Sequence, residues 1–280
     1  MKIKSILSSL FLLSFICSCQ KISEQDLEPA IRTISFNVDF NVSQTPMSRS
    51  GLSDHIKTLV VYDYVDGVLK NEIIQSSTKT GFGTVKIDAS YGTHNLIFVG
   101  HNSQTCTYDA DNSLLSFDKV QDTFSAYRTL TIDGETAGSQ SILLDRQVAG
   151  IRLAPTDPIP ANAASITITI DGYSSKLNPK TGIGSNGETL TRSWTYTTSQ
   201  IGKDNIDYLI YSFLPTENTT VNFAVTISNT NGGVLSSHSI EKVPIKKNQE
   251  TVITGTLFTS ELSATANVNS TWGENINVGF

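Results

Sequence analysis

Apolar and polar side chains alternate strictly along residues 34–43. The apolar positions are Ile34, Phe36, Val38, Phe40 and Val42. A period of two places successive side chains on opposite faces of an extended chain, so one face of this segment is apolar and the other polar. The pattern predicts a β-strand that covers a hydrophobic core with one face and meets water with the other.

Further strand patterns follow along the first half of the chain. Residues 56–64 are predicted to be a long strand with the apolar sequence LVV at residues 59–61 at its centre. Asp66-Gly67 is a strong hairpin signal because both central positions of a primed turn favour positive φ. Residues 68–74 are predicted to be the return strand. Residues 95–100 form a continuous apolar strand, a pattern typical of the centre of a sheet.

One segment of the first half has a different period. Its apolar residues are Leu114, Phe117, Val120 and Phe124. A spacing of three to four residues places side chains on one face of a helix. A short helix or a helical loop is therefore predicted within residues 112–124.

Three prolines, at positions 155, 158 and 160, divide the chain. Each proline fixes φ and removes a backbone donor, so a strand is not expected to continue through them. Beyond them, short alternating segments separated by turn signals favour a sandwich. The sequence predicts an all-β fold with two β-sandwich domains, at residues 34–157 and 158–280.

Residues 1–18 have the parts of a bacterial export signal: basic Lys2 and Lys4, an apolar segment and small residues before the cut. The apolar segment is shorter than the ~20 residues that span a bilayer. The sequence ICSC at residues 16–19 resembles a lipoprotein box, in which the thiol of Cys19 carries the lipid. An ordinary signal peptide that contains cysteines is the alternative. Residues 19–33 lack periodicity and are predicted to be a tether.

Composition and charge limit the classes of partner. Charged residues make up 16% of the chain and the net charge is −6, so the basic surface that nucleic acids require is not expected. Of the 3 cysteines, lipidation of Cys19 would leave no pair in the mature chain, which excludes a disulfide framework. Cys106 is expected to be a buried small hydrophobic residue, with a reactive thiol as the alternative.

The sequence has no constellation typical of an enzyme. The histidines, His55, His94, His101 and His238, lack the paired spacing of metal ligands. The acidic segment at residues 109–112 lacks the glycine and glutamate of a calcium loop. No catalytic residue, metal or cofactor is predicted. Tyr173, Trp194 and Tyr196 are interpreted either as packing residues or as a sugar-binding surface.

Several segments in a fixed order resemble the fimbrillin family, the lipoprotein-exported subunits of type V pili in Bacteroidia. The lipoprotein box precedes the alternating strand, which is followed by Arg49 and by the apolar sequence LVVY at residues 59–62. The sequence LDRQVAGIRL at residues 144–153 resembles the family's arginine-plus-valine-alanine strand near the end of the first domain. Two later segments resemble the end of the second domain: VPIKKNQETVITG at residues 243–255 and WGENINVGF at residues 272–280.

This resemblance implies domains of transthyretin-like topology and assembly by strand exchange. In the family, a protease cuts after an arginine and removes the first strand, and a C-terminal segment of a neighbouring subunit fills the groove. The cut maps to Arg49 and Ser50, and the donated segment maps to residues 264–280. The removable core face maps to Ile34, Phe36, Val38, Phe40 and Val42, and the donor-strand candidates are Ile276, Val278 and Phe280.

The resemblance implies a structural subunit of a fimbrium that supports adhesion at the outer membrane. Expected partners are other fimbrial subunits, the membrane through the lipid anchor, and a receptor on a host or bacterial surface. Two alternatives stay open. In the first, Arg49 is a solvated loop arginine and the strand at residues 34–43 is permanent, as it is in an anchor subunit. In the second, the protein is a non-polymerising outer-membrane lipoprotein whose β-sandwich domains bind glycan.

Overall fold

The structure is a computed structural model that describes residues 30–41, 51–185, 187–204 and 206–258 and, for the backbone alone, residues 265–269. Within these residues the chain is almost entirely β-structure, with one short helix, α1 (Leu52–His55). The predicted all-β fold class is confirmed. No helix in these ranges is long and apolar enough to cross a membrane.

The strands are numbered along the chain. They are β1 (Ile31–Phe40), β2 (Thr58–Val65), β3 (Val68–Ser76), β4 (Thr84–Ser90), β5 (Gly92–His101), β6 (Cys106–Asp109), β7 (Leu114–Phe117), β8 (Thr123–Ile132), β9 (Ser139–Arg146), β10 (Ala149–Pro155), β11 (Ala163–Tyr173), β12 (Lys176–Asn178), β13 (Ile183–Gly184), β14 (Glu188–Thr195), β15 (Tyr208–Ser212), β16 (Asn218–Asn229), β17 (Val234–Lys246), β18 (Glu250–Gly255) and β19 (Thr265–Asn269).

The described strands form four sheets. The largest has seven strands in the order β3-β2-β5-β8-β9-β1-β4. The other three have four strands each, in the orders β15-β10-β18-β19, β14-β11-β16-β17 and β13-β12-β7-β6. The seven-stranded sheet is mostly antiparallel, but β1 is parallel to β9.

The seven-stranded sheet is buried on both faces at β2. Leu59 and Val61 belong to one hydrophobic cluster, while Val60 and Tyr62 belong to a second cluster that also contains residues of β10, β11 and β16. A strand covered on both faces needs apolar residues at successive positions. This explains why β2 has a continuous apolar run where β1 alternates.

The first strand begins at Ile31, three residues earlier than the alternation predicts. Ile31 is 67% exposed, so an apolar side chain occupies a solvent-facing position and the pattern is broken there. Its backbone nevertheless pairs with Ser90 of β4. Val42 and Ser43, at the predicted end of the strand, lie outside the described residues.

The helix predicted within residues 112–124 is wrong. The chain instead forms a hairpin of β6 and β7. The carboxylate of Asp109 accepts hydrogen bonds from the backbone N–H groups of Asp111 and Asn112, and Ser113 has a φ of 53°. The positive φ of Ser113 is incompatible with a right-handed helix, so a helix cannot continue through this residue. The turn instead reverses the direction of the chain. The residues with helical spacing lie on three successive segments: Leu114 and Phe117 on β7, Val120 on the loop that follows it, and Phe124 on β8.

Strand β10 connects the two halves of the chain. It pairs antiparallel with β15 and parallel with β18, so its hydrogen bonds join it to strands that follow the three prolines. The division of the chain into two domains at residue 157 stays a prediction.

Candidate functional site

Strand β1 lies inside the seven-stranded sheet, between β9 and β4. Phe36 is opposite Gln140 of β9 on one side and opposite Val85 of β4 on the other. Strand β4 is the edge of the sheet, and β1 is its neighbour there. On both sides of the position occupied by β1, a neighbouring strand therefore presents backbone N–H and C=O groups that can bond an extended segment.

The inward face of β1 is embedded in a core. Ile34, Phe36, Val38 and Phe40 are all buried. The ring centroid of Phe36 lies 5.3 Å from that of Phe98, and the ring of Phe40 lies 4.5 Å from that of Phe124. The face on which the alternation depends is thus a packed aromatic and aliphatic surface.

The end of β1 is held by Asn41. Its backbone N–H donates to the carbonyl of Leu144 at 2.9 Å, and its side-chain amide donates to the carboxylate of Asp145 at 2.8 Å. The next nine residues, which include the cleavage candidates Arg49 and Ser50, lie outside the described residues. Cys19 and the donor-strand candidates Ile276, Val278 and Phe280 lie outside them too.

Part of the C-terminal segment that the resemblance implies as a donor is paired within this chain. Strand β19 lies antiparallel to β18, with Thr251 opposite Val268. It is an edge strand of its sheet. An exchange that uses residues 265–269 would first have to break this pairing.

The two arginines of the segment at residues 144–153 form ion pairs. Arg146 is buried and donates from Nε and Nη2 to the two carboxylate oxygens of Asp122, at 2.8 and 2.9 Å. Arg152 donates in the same way to Glu250, at 2.7 and 3.1 Å. Bidentate pairing fixes geometry as well as charge. These arginines hold β9 to the start of β8 and β10 to β18.

Two of the histidines, His94 and His238, make hydrogen bonds with their ring nitrogens. His94 pairs with Asp63, with 2.7 Å between Nδ1 and the carboxylate. His238 uses Nε2 to bond the carbonyl of Leu257 at 2.8 Å. Among the described residues no group of three or more potential ligands could hold a metal ion.

His101 makes stability depend on pH. Its ring is 2% exposed, and neither ring nitrogen has a partner in the described part of the chain. Burial lowers the pKa of His101 below its usual value. Below about pH 6.5 the unfolded chain therefore binds a proton that the folded protein resists, so stability falls as pH falls.

We expect the free energy of unfolding to drop between pH 7 and pH 5. A buried histidine such as His101 contributes at most about 1.4 kcal/mol to this drop per pH unit. Denaturant titrations of the parent and of His101→Leu measure it, and the variant should show the smaller drop. Burial also lowers the pKa of His55, so part of the drop should persist. Equal pH slopes in the two proteins would contradict this role of His101.

Cys106 has the environment expected of a buried small hydrophobic residue. Its side chain is partly buried against the larger hydrophobic cluster. Burial raises the pKa of the Cys106 thiol to about 12. Since the thiolate is the reactive form, this environment disfavours the alternative of a reactive thiol.

The aromatic residues considered for a sugar surface pack against the core. Tyr173 is 3% exposed. Trp194 lies 5.3 Å from Tyr208 between ring centroids, and Tyr196 lies 6.0 Å from Phe258. The packing interpretation is the one the structure supports for these three residues.

Sequence reasoning missed a different aromatic group, Tyr64, Tyr108 and Tyr127. These three side chains and Lys180 line one cavity. The three tyrosines are on different strands, β2, β6 and β8. The pattern of apolar and polar residues does not distinguish them from other strand residues. The one usable signal was the glycine-rich loop after Pro179, which brings Lys180 to this place.

Comparisons with known proteins give a family and a fold. A model of a family of unknown function, DUF6562, matches residues 75–279. No curated protein matches the sequence.

Three solved structures from Bacteroides share the fold. A candidate polysaccharide-binding protein (DUF1812) of Bacteroides thetaiotaomicron has a TM-score of 0.55 at 9% identity, covering 85% of this chain and 97% of that one. A candidate adhesin of Bacteroides ovatus has a TM-score of 0.54 at 10% identity, covering 76% and 83%. A candidate adhesin of Bacteroides thetaiotaomicron has a TM-score of 0.53 at 9% identity, covering 87% and 98%.

Proposed function

Since the chain belongs to the DUF6562 family and has the fold of candidate adhesins from Bacteroides, we propose that it is a structural subunit of a cell-surface fimbrium. In this proposal it is exported as a lipoprotein through Cys19, assembles by β-strand exchange and supports adhesion at the outer membrane. It has no catalytic role. Its partners are other fimbrial subunits.

The observation that carries the proposal is the position of β1. It is the first strand in the described part of the chain, yet it lies between β9 and β4 rather than at the edge of its sheet. Removing it would open a slot with unpaired backbone groups on both sides. A strand from another subunit could bond to both sides of that slot.

The hydrophobic face of β1 gives such an exchange a driving force. Its four buried side chains, Ile34, Phe36, Val38 and Phe40, contribute about 1.5–3 kcal/mol each on burial. An open groove of this kind is costly in water, so an incoming strand with the same alternation would be strongly favoured. The alternating positions Ile276, Val278 and Phe280 are the proposed source, in a neighbouring subunit.

The connector after β1 supplies the proposed cutting site. Arg49 and Ser50 follow the strand in sequence, so a cut between them would separate residues 19–49 from the rest of the chain. Cys19 and β1 lie on the same side of this cut. Cleavage would therefore release the lipid and open the groove in a single step, whereas an uncut chain would stay anchored with its groove filled.

The mass of the mature protein tests this proposal. We would measure the intact mass of the protein from its own outer membranes and from shed filaments, for the parent, for Arg49→Ala and for a matched control, Arg128→Ala, at an exposed arginine of β8. A chain that starts at Ser50, and is lost in Arg49→Ala alone, is the expected result. A chain that starts at acylated Cys19 in every fraction would contradict processing at Arg49 and leave an anchor subunit or an ordinary surface lipoprotein.

A second candidate function is a non-polymerising surface lipoprotein that binds glycan. It is favoured by the fold shared with a candidate polysaccharide-binding protein. Polymerising subunits should run as ladders that resist mild denaturant. A glycan binder should stay monomeric and be retarded in gels that contain polysaccharide.

A further inference from the structure

Two cavities adjoin on the side of the seven-stranded sheet that faces the β6–β7 hairpin. Tyr127 and Lys180 line both of them, so the two cavities meet at this pair. One cavity is bordered by tyrosines and the other by polar side chains. Neither contains a residue of β1.

The smaller cavity, of about 80 Å³, is aromatic. Tyr64 and Tyr108 meet edge to face, with 5.5 Å between their ring centroids. The hydroxyl of Tyr127 donates to the side-chain carbonyl of Asn95 at 2.7 Å, which fixes the ring. Rings held in this way present flat apolar faces beside polar groups.

The larger cavity, of about 240 Å³, is polar. Gln147 lines it and is buried, with its amide N–H groups donating to the carbonyls of Ser125 and Asp145 at 3.3 and 3.0 Å. The Oε1 atom of Gln147 and the hydroxyl of Ser125 have no partner in the described ranges. Buried polar atoms without partners are costly, so a polar ligand at this wall would be favoured.

Lys180 supplies a positive charge where the two cavities meet. Its ammonium lies 5.5 Å from the centroid of the Tyr127 ring, and its backbone N–H is held by the side chain of Asn178 at 3.0 Å. The described residues give Lys180 no carboxylate partner, whereas Lys247, which also lines the larger cavity, pairs with Glu217 at 3.1 Å. Lys180 is thus the cation that a ligand can use.

From these contacts we propose that the two cavities form one binding site for a short oligosaccharide that carries a carboxylate. One sugar ring lies against the tyrosines, because the apolar face of a sugar matches an aromatic ring. Its hydroxyl groups bond the polar wall around Gln147. Its carboxylate pairs with Lys180. A small inorganic anion would use the lysine but not the three rings.

This site is independent of strand exchange. It contains no residue of β1 and has one lining residue in common with the contacts of that strand, Asp145, whose carboxylate accepts from Asn41. The tyrosines and Lys180 would be present in a polymerising subunit and in an anchor alike. If the mass experiment contradicted cleavage at Arg49, the proposed binding site would still stand. If the sugar titrations contradicted the binding site, the proposed role of β1 would still stand.

Calorimetric titration of the full mature chain tests the proposal. The probes are trigalacturonate, which carries carboxylates, and maltotriose, a neutral sugar of the same length. We expect trigalacturonate to bind and maltotriose to bind at least tenfold more weakly. Lys180→Ala should weaken trigalacturonate about tenfold, the effect of losing one charge-assisted hydrogen bond. Lys86→Ala, at an exposed lysine of β4 outside both cavities, should leave it unchanged.

The aromatic part of the site has its own variant. Tyr108→Leu keeps an apolar side chain but removes the ring, and should weaken trigalacturonate while the far-ultraviolet circular dichroism stays that of the parent. Equal binding of the two sugars would overturn the assignment of an acidic ligand. Binding of neither sugar, or binding of inorganic phosphate alone, would overturn the site as a whole.

Discussion

Phe36→Ala is expected to lower the free energy of unfolding by about 3–5 kcal/mol. Phe36 is 1% exposed in the middle of β1 and contacts the ring of Phe98. Removing its ring loses the transfer free energy of the buried atoms and leaves a cavity. The rigid sheet around it cannot fill that cavity, because β4 and β9 hold β1 on both sides. Urea titration followed by circular dichroism measures the change.

The neighbouring residue provides the control for this prediction. Asn37 is on the exposed face of β1, where its amide donates to the hydroxyl of Ser139. Asn37→Ala should change stability by no more than about 0.5 kcal/mol. Equal losses in the two variants would mean that β1 is not the one-sided core strand described above.

Asp63→Ala is expected to cost a similar amount, about 3–5 kcal/mol, for an electrostatic reason. Asp63 and His94 are 0% and 1% exposed. One carboxylate oxygen of Asp63 faces Nδ1 of His94, and the other accepts from the amide of Asn71 at 2.8 Å. The second ring nitrogen of His94 lies 2.9 Å from the carbonyl of Ser90. Removing the carboxylate would leave the buried Nδ1 of His94 and the half-buried amide of Asn71 without this acceptor.

The same urea titration, with the three further variants Asp88→Ala, His94→Ala and Asp63→Ala/His94→Ala, separates this effect from a simple loss of volume. Asp88→Ala removes an exposed carboxylate of β4 whose hydrogen bond is with Thr33, and should cost no more than about 0.5 kcal/mol. The double variant Asp63→Ala/His94→Ala should lose less than the sum of its two single variants, because they share one interaction. Additive losses would contradict a coupled pair.

The sequence predicted individual strands better than their arrangement. The alternation of β1 predicts a strand because one face of that strand is buried. The apolar run of β2 predicts a strand because both faces of β2 are buried. The parallel pairing of β1 with β9 cannot be predicted from a local sequence pattern, because the hydrogen-bonded residues Asn37 and Ser139 are 102 positions apart. Residues of β7, of the loop that follows it and of the start of β8 together imitate helical spacing, so the sequence predicts a helix where the chain forms strands.

The candidate sites were predictable to different degrees. The buried face of β1 follows from period two alone. The tyrosine and lysine cavities could not be found this way, because Tyr64, Tyr108 and Tyr127 come from three separate strands and Lys180 from a loop. Their proximity depends on how β6 and β7 lie over the large sheet. Only tertiary structure brings such residues together.

The position of β1 also determines when it can fold. It is the first of the described strands to be synthesised, but its partners β4 and β9 follow about 50 and about 100 residues later. Strands β2, β3 and β5 can pair with one another through short connections, whereas closing the long loop to β9 is slow. Until β4 and β9 are made, a ten-residue strand with an aromatic face has neither of its partners, and such a segment is of the kind that aggregates. A chaperone that shields extended apolar strands should therefore matter more for this chain than for one whose first strand pairs with its second.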